Sequence, residues 1–183
     1  MAKKEKNTFL TPLHLACGGG EMRPVFNYIH FMNDMAYATD GHVLVEQSMS
    51  YYCNVINRDM LNGHSIHADA YKFISKCHTA EAIDTGIWCT TKGGAEVFYP
   101  YVDVQKLGLK IPNFLSVMTY NPQSSAVLCV TAKYMAIIDK VLYKGGNGHL
   151  KCELQGDRGA ITVTVPGMEG QKALWMPVND GGI

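Results

Sequence analysis

Residues 23–47 read RPVFNYIHFMNDMAYATDGHVLVEQ. Apolar and polar residues alternate on both sides of Asn33-Asp34, and a second turn pair, Asp40-Gly41, follows shortly after. The pattern predicts three short antiparallel strands, at 24–32, 35–39 and 42–47. Asn-Asp and Asp-Gly supply the positive-φ or locally hydrogen-bonded residues that tight turns need. An ordinary β-meander satisfies the same pattern, so periodicity alone defines an architecture and no function.

Upstream, residues 8–17 (TFLTPLHLAC) read as a first strand weakened by Pro12. Gly18-Gly19-Gly20 excludes a helix interior. No Lys-Ser/Thr and no helix follow to make a phosphate loop, so the glycines read as a flexible connector with at most one short turn at 21–23. Downstream, 48–62 is rich in Tyr, Asn and polar residues and reads as a loop. A short strand at 63–67 precedes a helix at 68–78 (ADAYKFISKCH), with Ala70, Phe73, Ile74 and Cys77 on one face and Asp69 in its first turn. Strands follow at 82–84, 86–91 and 96–102, with Lys92-Gly93-Gly94 as the hairpin turn, and then a linker at 103–110.

The last third repeats the theme. A strand at 125–130 leads to Thr131 as N-cap and to the clearest helix, 132–143 (AKYMAIIDKVLY). Its apolar stripe is Tyr134, Ile137, Ile138, Val141 and Leu142, and Gly145-Gly146 ends it. Strands at 149–154, 160–165 and 172–178 close the chain. The order β-α-β-β-β thus occurs twice in full and once, first, with its helix nearly deleted.

The 183 residues are 47% hydrophobic and 17% charged, enough for a sizeable core. Formal net charge is +0, so any contact with nucleic acid must come from a local patch. No run of about 18 apolar residues predicts a membrane span. The charged start MAKKEKNTF lacks an apolar core, reads as a solvated tail rather than a secretory signal, and leaves a cytoplasmic protein as the expectation. None of the six cysteines forms a CxxC pair; they read as small buried hydrophobes. Metal and nucleophile chemistry find little support. His64 and His67, and His149 and Cys152, are three apart on strand-like runs, which points each pair to opposite faces. Cys77 or Cys129 would need a histidine beside it, which no spacing supplies. Asp40 beside His42 suggests a dyad, but the turn explains Asp40 better. No cofactor, metal or catalytic residue is assigned, and a Cys/His-dependent enzyme stays as a third reading.

Arg23-x-x-Phe26-Asn27, Phe31 and the run Ala38-Thr-Asp-Gly-His-Val-Leu44 resemble the middle domain of the bacterial DNA sliding clamps, the DNA polymerase III beta subunit family. The family run reads like ATDGHRL; the departure is Val43, where the family usually has Arg, a long cation lost from the groove's rim. The segment Ile111-Pro112-Asn113-Phe114-Leu115-Ser116-Val117 is similar to a Phe-Pro-Asp-Tyr type segment of clamps. The closing Ala173-Leu174-Trp175-Met176-Pro177-Val178 is similar to the clamp C-terminal strand. The resemblance implies an α+β, DNA-clamp-like fold of repeated β-α-β-β-β units, with antiparallel sheets and helices on one face. It divides the chain into a tail at 1–8, a two-unit domain at 9–118 and a third unit at 119–183.

Clamps hold short motifs of polymerases and repair proteins in an apolar groove. Carried over, that groove takes Phe26, Thr39, Gly41, His42 and Leu44 from the first unit. Pro112 and Val117 come from the linker; Leu174, Met176, Pro177 and Val178 come from the last strand. Plain core packing explains Phe26, Leu44 or Leu174 singly. The expected partners are clamp-binding-motif peptides of replication or repair proteins, duplex DNA without sequence preference, and further copies of the chain. For DNA, Lys72 and Lys76 lie one turn apart, and Lys133, Lys140 and Lys144 fall within roughly 40° on a helix. Two helices side by side on one sheet would carry these lysines along one edge, suited to loose phosphate contact. Surface helices usually carry lysines, so the resemblance is what favours DNA. A monomeric peptide-binding adaptor or decoy, without a ring, is the second reading.

Overall fold

Two tight turns set the first sheet. The computed structural model describes residues 11–18, 20–118, 131–144, 149–155 and 159–177. Strands β1 (Tyr28–Met32) and β2 (Met35–Thr39) meet at Asn33-Asp34, whose φ angles of 52° and 60° are both in the left-handed region. That is the geometry a two-residue hairpin needs to match strand twist. Strand β3 (Val43–Ser48) follows the Asp40-Gly41 turn. The predicted first strand of this meander starts later than expected, because Pro24–Asn27 winds into a 3-10 turn with Pro24 at its start.

The remaining elements are β4 (Val55–Ile56), β5 (Ser65–His67), α1 (Ala68–Ile74), β6 (Thr79–Ile83), β7 (Gly86–Thr90), β8 (Glu96–Pro100), α2 (Phe114–Val117), α3 (Ala132–Val141), β9 (Lys151–Leu154), β10 (Ile161–Val165) and β11 (Met168–Trp175). A seven-stranded sheet runs β5-β1-β2-β3-β11-β10-β9, and a four-stranded sheet runs β4-β6-β7-β8. All pairings are antiparallel except the two-residue β4–β6 contact. The decisive pairing is β3 with β11, in register from Trp175↔Val43 to Gln171↔Gln47. It joins the first meander to the last one in a single sheet.

Alternation assigns the faces of that sheet. Ile29, Phe31, Ala36, Ala38, Val43, Val45, Val163, Ala173 and Trp175 enter one large core with Tyr71 and Ile74 of α1 and Ile138 and Val141 of α3. Each Val, Ile or Phe among them, fully buried, contributes roughly 1.5–3 kcal/mol by removal from water. The opposite face carries Tyr37, Leu44 and Leu174, covered by Phe114 and Met118 of the connector. At the seam between β3 and β11, Thr11 donates to Gln47 (2.7 Å), Gln47 donates to Gln171 (3.3 Å), and Gln171 bonds both backbone groups of Tyr143.

Several expectations are corrected. Residues 8–17 hold no strand in their described part; Leu13–Ala16 is a 3-10 turn whose Leu13 and Ala16 plug the core in place of a full helix. The expected loop at 48–62 contains 3-10 turns at Met49–Tyr52 and Arg58–Leu61 and strand β4. In α1 the buried face is Tyr71 and Ile74, while Phe73 is 54% exposed. The helix is only seven residues long, so the phase read over a longer helix does not apply. Thr131 stands at the N-cap of α3, but its side chain makes no capping bond. Strand β6 begins at Thr79 and β11 at Met168, both earlier than expected; β5 and β9 begin two residues late, and α1 and α3 end early. The expected strand at 125–130, the stop at Gly145-Gly146, the tail at 1–8, Cys129 and Val178 lie outside the described residues.

Candidate functional site

Backbone pairing builds the floor of the site. Thr39 pairs with Leu44, and Leu44 with Leu174, so the three form one cross-strand row on the face away from α1 and α3. The β2–β3 turn is locked by its own side chains. Asp40 Oδ1 accepts from the N–H groups of His42 (2.9 Å) and Val43 (3.0 Å). Gly41 N–H donates to Thr39 Oγ1 (2.9 Å), which donates to Val43 O (2.7 Å). The dyad of Asp40 and His42 is therefore a turn, as Asp chemistry in tight turns requires. Gly41 has φ 93°, and a Cβ there would stand 3.2 Å from both the Arg23 guanidinium and the Phe26 ring. Its missing side chain lets Arg23 and Phe26 close the rim.

Three separate segments converge on this floor. Met176 N–H donates to His42 O (3.2 Å), pinning the end of β11 to the turn. The connector brings Phe114 onto Tyr37 in a stacked contact (4.9 Å, 13°), and Asn113 caps Ser116 N–H at the start of α2 (3.2 Å). The His42 ring stacks on Tyr134 of α3 (5.6 Å, 27°). The result is a pocket of about 170 Å³ with largely apolar walls, lined by Arg23, Phe26, Thr39, Gly41, His42, Val43, Leu44, Pro112, Phe114, Val117, Leu174 and Met176. Val117 and Met176 are 54% and 48% exposed, whereas Leu44 and Leu174 are buried. Two larger recesses, of about 500 and 440 Å³, have mixed polar and apolar linings, around Asp84–Asp103 and Glu169–Lys172.

Of the sequence-selected groove residues, Phe26, Thr39, Gly41, His42, Leu44, Pro112, Val117, Leu174 and Met176 line this pocket. Pro177 is half-buried beside it and does not line it. Val43 also borders the pocket, but at 1% exposure it belongs to the main core rather than to an open rim. Sequence reading missed Arg23 and Phe114 as lining residues. Arg23 is one 3-10 turn before Phe26, whose N–H donates to Arg23 O (3.0 Å), and Phe114 is the aromatic of the run 111–117; both spacings were visible.

The lysines are less uniform than a stripe. Lys72 and Lys76 are exposed and raise the positive potential at His14, whose pKa is lowered first by burial and then by these two charges. Lys76 lies over Phe73 (5.7 Å) and Lys133 over Tyr134 (5.7 Å). Lys144 is drawn into an ion pair with Asp139. The helices α1 and α3 both pack on the 3-10 turn Leu13–Ala16, which takes the place between them. The His64 and His67 pair also disperses: His64 stacks on Tyr101 (4.1 Å, 9°), and His67 caps α1 by accepting from Asp69 N–H (3.2 Å). Among the described residues, no group of three or more His, Cys, Asp or Glu is placed to hold a metal ion. Burial pushes the Cys89 thiol up to about 12, with neighbouring Cys77 adding to it. Among the described residues, no helix is long and apolar enough to cross a membrane.

This arrangement of sheets, helices and inter-segment pocket is a sliding-clamp fold. The DNA polymerase sliding clamp of Bacillus subtilis superposes on it with a TM-score of 0.67 at 13% identity, over 98% of this chain and 66% of the clamp. DNA polymerase III, beta subunit, from Thermotoga maritima does so with 0.63 at 9% identity, over 98% and 67%. A DnaN sliding clamp from Pseudomonas aeruginosa, bound to griselimycin, does so with 0.57 at 10% identity, over 98% and 68%. The chain therefore spans about two thirds of the length of these clamps. No protein-family model matches the chain, and no curated protein sequence matches it.

Proposed function

We propose that this chain is a non-catalytic, clamp-like binding protein whose pocket takes a short apolar segment of a replication or repair protein. One observation carries the reading: the β2–β3 turn, the connector and the end of β11 meet around a small apolar pocket. Exposed Met176 can repack around different side chains, buried Leu44 and Leu174 supply a greasy floor, and Arg23 and His42 offer polar atoms at the rim for orientation. In this reading residues 9–118 form a two-unit domain and 119–183 a third unit docked through β3–β11. The lysines best disposed to touch duplex DNA are Lys72, Lys76, Lys133 and Lys140, with Lys144 held back by Asp139.

The test is fluorescence anisotropy with a labelled clamp-binding-motif peptide. Substituting His42→Ala together with Met176→Ala should weaken binding by about tenfold or more, the size expected for central contacts of a small pocket. Unchanged affinity would mean that the groove is assigned to the wrong place.

A second reading has its own support. The pocket is lined within a single chain, so peptide capture requires no ring. A monomeric adaptor or decoy would bind the peptide yet fail to stay on a nicked DNA circle. A ring of several copies would be retained on the circle and lost on linearisation.

A further inference from the structure

The row beside the pocket floor is charged. Tyr37 pairs with Glu46, and Glu46 with Lys172. This row lies two residues along each strand from Thr39, Leu44 and Leu174, so it shares their face of the sheet. That face carries the apolar cluster of Tyr37, Leu44, Phe114, Met118 and Leu174, yet Glu46 within it is only 9% exposed. Burial first, and then the Glu46 charge, raise the pKa of the Tyr37 phenol, which sets the carboxylate beside the ring that Phe114 covers. A buried ion pair generally stabilises a fold no more than apolar residues of the same volume. Stability alone therefore gives no reason for a carboxylate and an ammonium here.

What the ammonium reaches supplies one. Lys172 Nζ lies 3.4 Å from Glu46 Oε1 and donates to Met118 O at 3.5 Å. Met118 is the C-cap of α2, and its own N–H donates to Phe114 O (2.9 Å). The carbonyl held by Lys172 is thus one helical turn from the Phe114 ring and adjacent in the chain to Val117, both of which line the pocket. We propose that Lys172 is a positioning residue for the pocket: aimed by Glu46, its ammonium latches the end of α2 to the sheet and sets the height of the wall made by Pro112, Phe114 and Val117.

The proposal rests on the pocket being the binding site. The other ties between this wall and the sheet are a ring stack and apolar packing, which are non-directional enough to slide. An ammonium against a single carbonyl selects one position. Lysine suits the task because its flexible stem reaches across, and Glu46 keeps a strongly hydrated charge from swinging out to water. The Lys172 side chain is 32% exposed, so the latch stays within reach of solvent and can open. Strand β11 supplies the ammonium, β3 the counter-charge and the connector the acceptor. The same three segments build the pocket one row away.

The experiment removes both charges together, in Glu46→Leu with Lys172→Leu. It follows the urea midpoint, amide hydrogen exchange in α2, and fluorescence anisotropy of the labelled clamp-binding-motif peptide. The midpoint should stay level or rise. The Ser116 and Met118 amides should exchange about tenfold faster. Peptide binding should weaken about fivefold, although neither residue lines the pocket. Lys172→Arg, which keeps a cationic donor, should bind as the parent does. Unchanged α2 exchange, or unchanged affinity in the double variant, overturns the proposal. A double variant that loses stability along with affinity also overturns it, since the pair would then be a plain structural element. If the parent itself binds no peptide, the pocket reading fails, and α2 exchange alone decides whether the latch exists.

Discussion

Replacing Gln171 by leucine tests how the two meanders are held together. Gln171 is 5% exposed and faces Gln47, which is fully buried, across the β3–β11 seam. It accepts from Gln47 (3.3 Å) and from Tyr143 N–H (2.9 Å), and donates to Tyr143 O. Leucine conserves much of the volume but strands the Gln47 amide donor away from water. An orphaned buried donor costs about 1–3 kcal/mol, and the two bonds to Tyr143, nearer solvent, add about 0.5–1.5 kcal/mol each. The sum is about 2–6 kcal/mol, or roughly 4–24 °C in melting temperature for a chain of this size. Urea denaturation of Gln171→Leu measures it directly.

The double variant Gln47→Leu with Gln171→Leu sharpens the test. It removes the orphan by making an apolar cross-strand pair, so its loss should be less than the sum of the two single losses. Strict additivity, or a single-variant loss below about 0.5 kcal/mol, would refute the claim that this relay clamps the seam.

Gly86→Ala should destabilise by about 1–3 kcal/mol, because its Cβ would stand 2.4 Å from Tyr99 O and 2.6 Å from the Phe98 ring; a thermal melt within error of the parent would contradict the close approach. His30 is buried, bonded to Ser65 Oγ (2.9 Å) and Val25 O (3.1 Å), and burial holds its pKa below the ordinary 6.5 despite the opposing bond to Val25. The unfolded chain therefore takes up a proton that the native imidazole refuses. Stability should be full above 6.5 and fall as pH drops below it, in the same sense as His14. Urea midpoints across that range, with His30→Gln showing a shallower slope, check the sign.

Legibility followed the range of the interactions. The turns at Asn33-Asp34 and Asp40-Gly41, the alternation around them and the apolar stripe of α3 are properties of adjacent residues. They could be read directly, and the observed φ angles and burial agree. Element ends were less legible. A 3-10 turn at Pro24–Asn27 and a strand use similar apolar residues; Pro24 at the start of the turn and Phe26 beside Gly41 both favour the turn. Phe73 was misplaced because a helix this short carries too few turns for its phase to show.

The pocket residues were named through a family pattern, not through chemistry visible in any one segment. By itself the amino-acid order determined the two tight turns, the strands beside them and the two main helices. The folded chain alone decided that β11 lies on β3, pairing Gln47 with Gln171 across 124 residues, and hence that Met176 meets His42. Such a pairing depends on which apolar faces remain uncovered once every element has formed, a property of the whole core that no window of sequence contains.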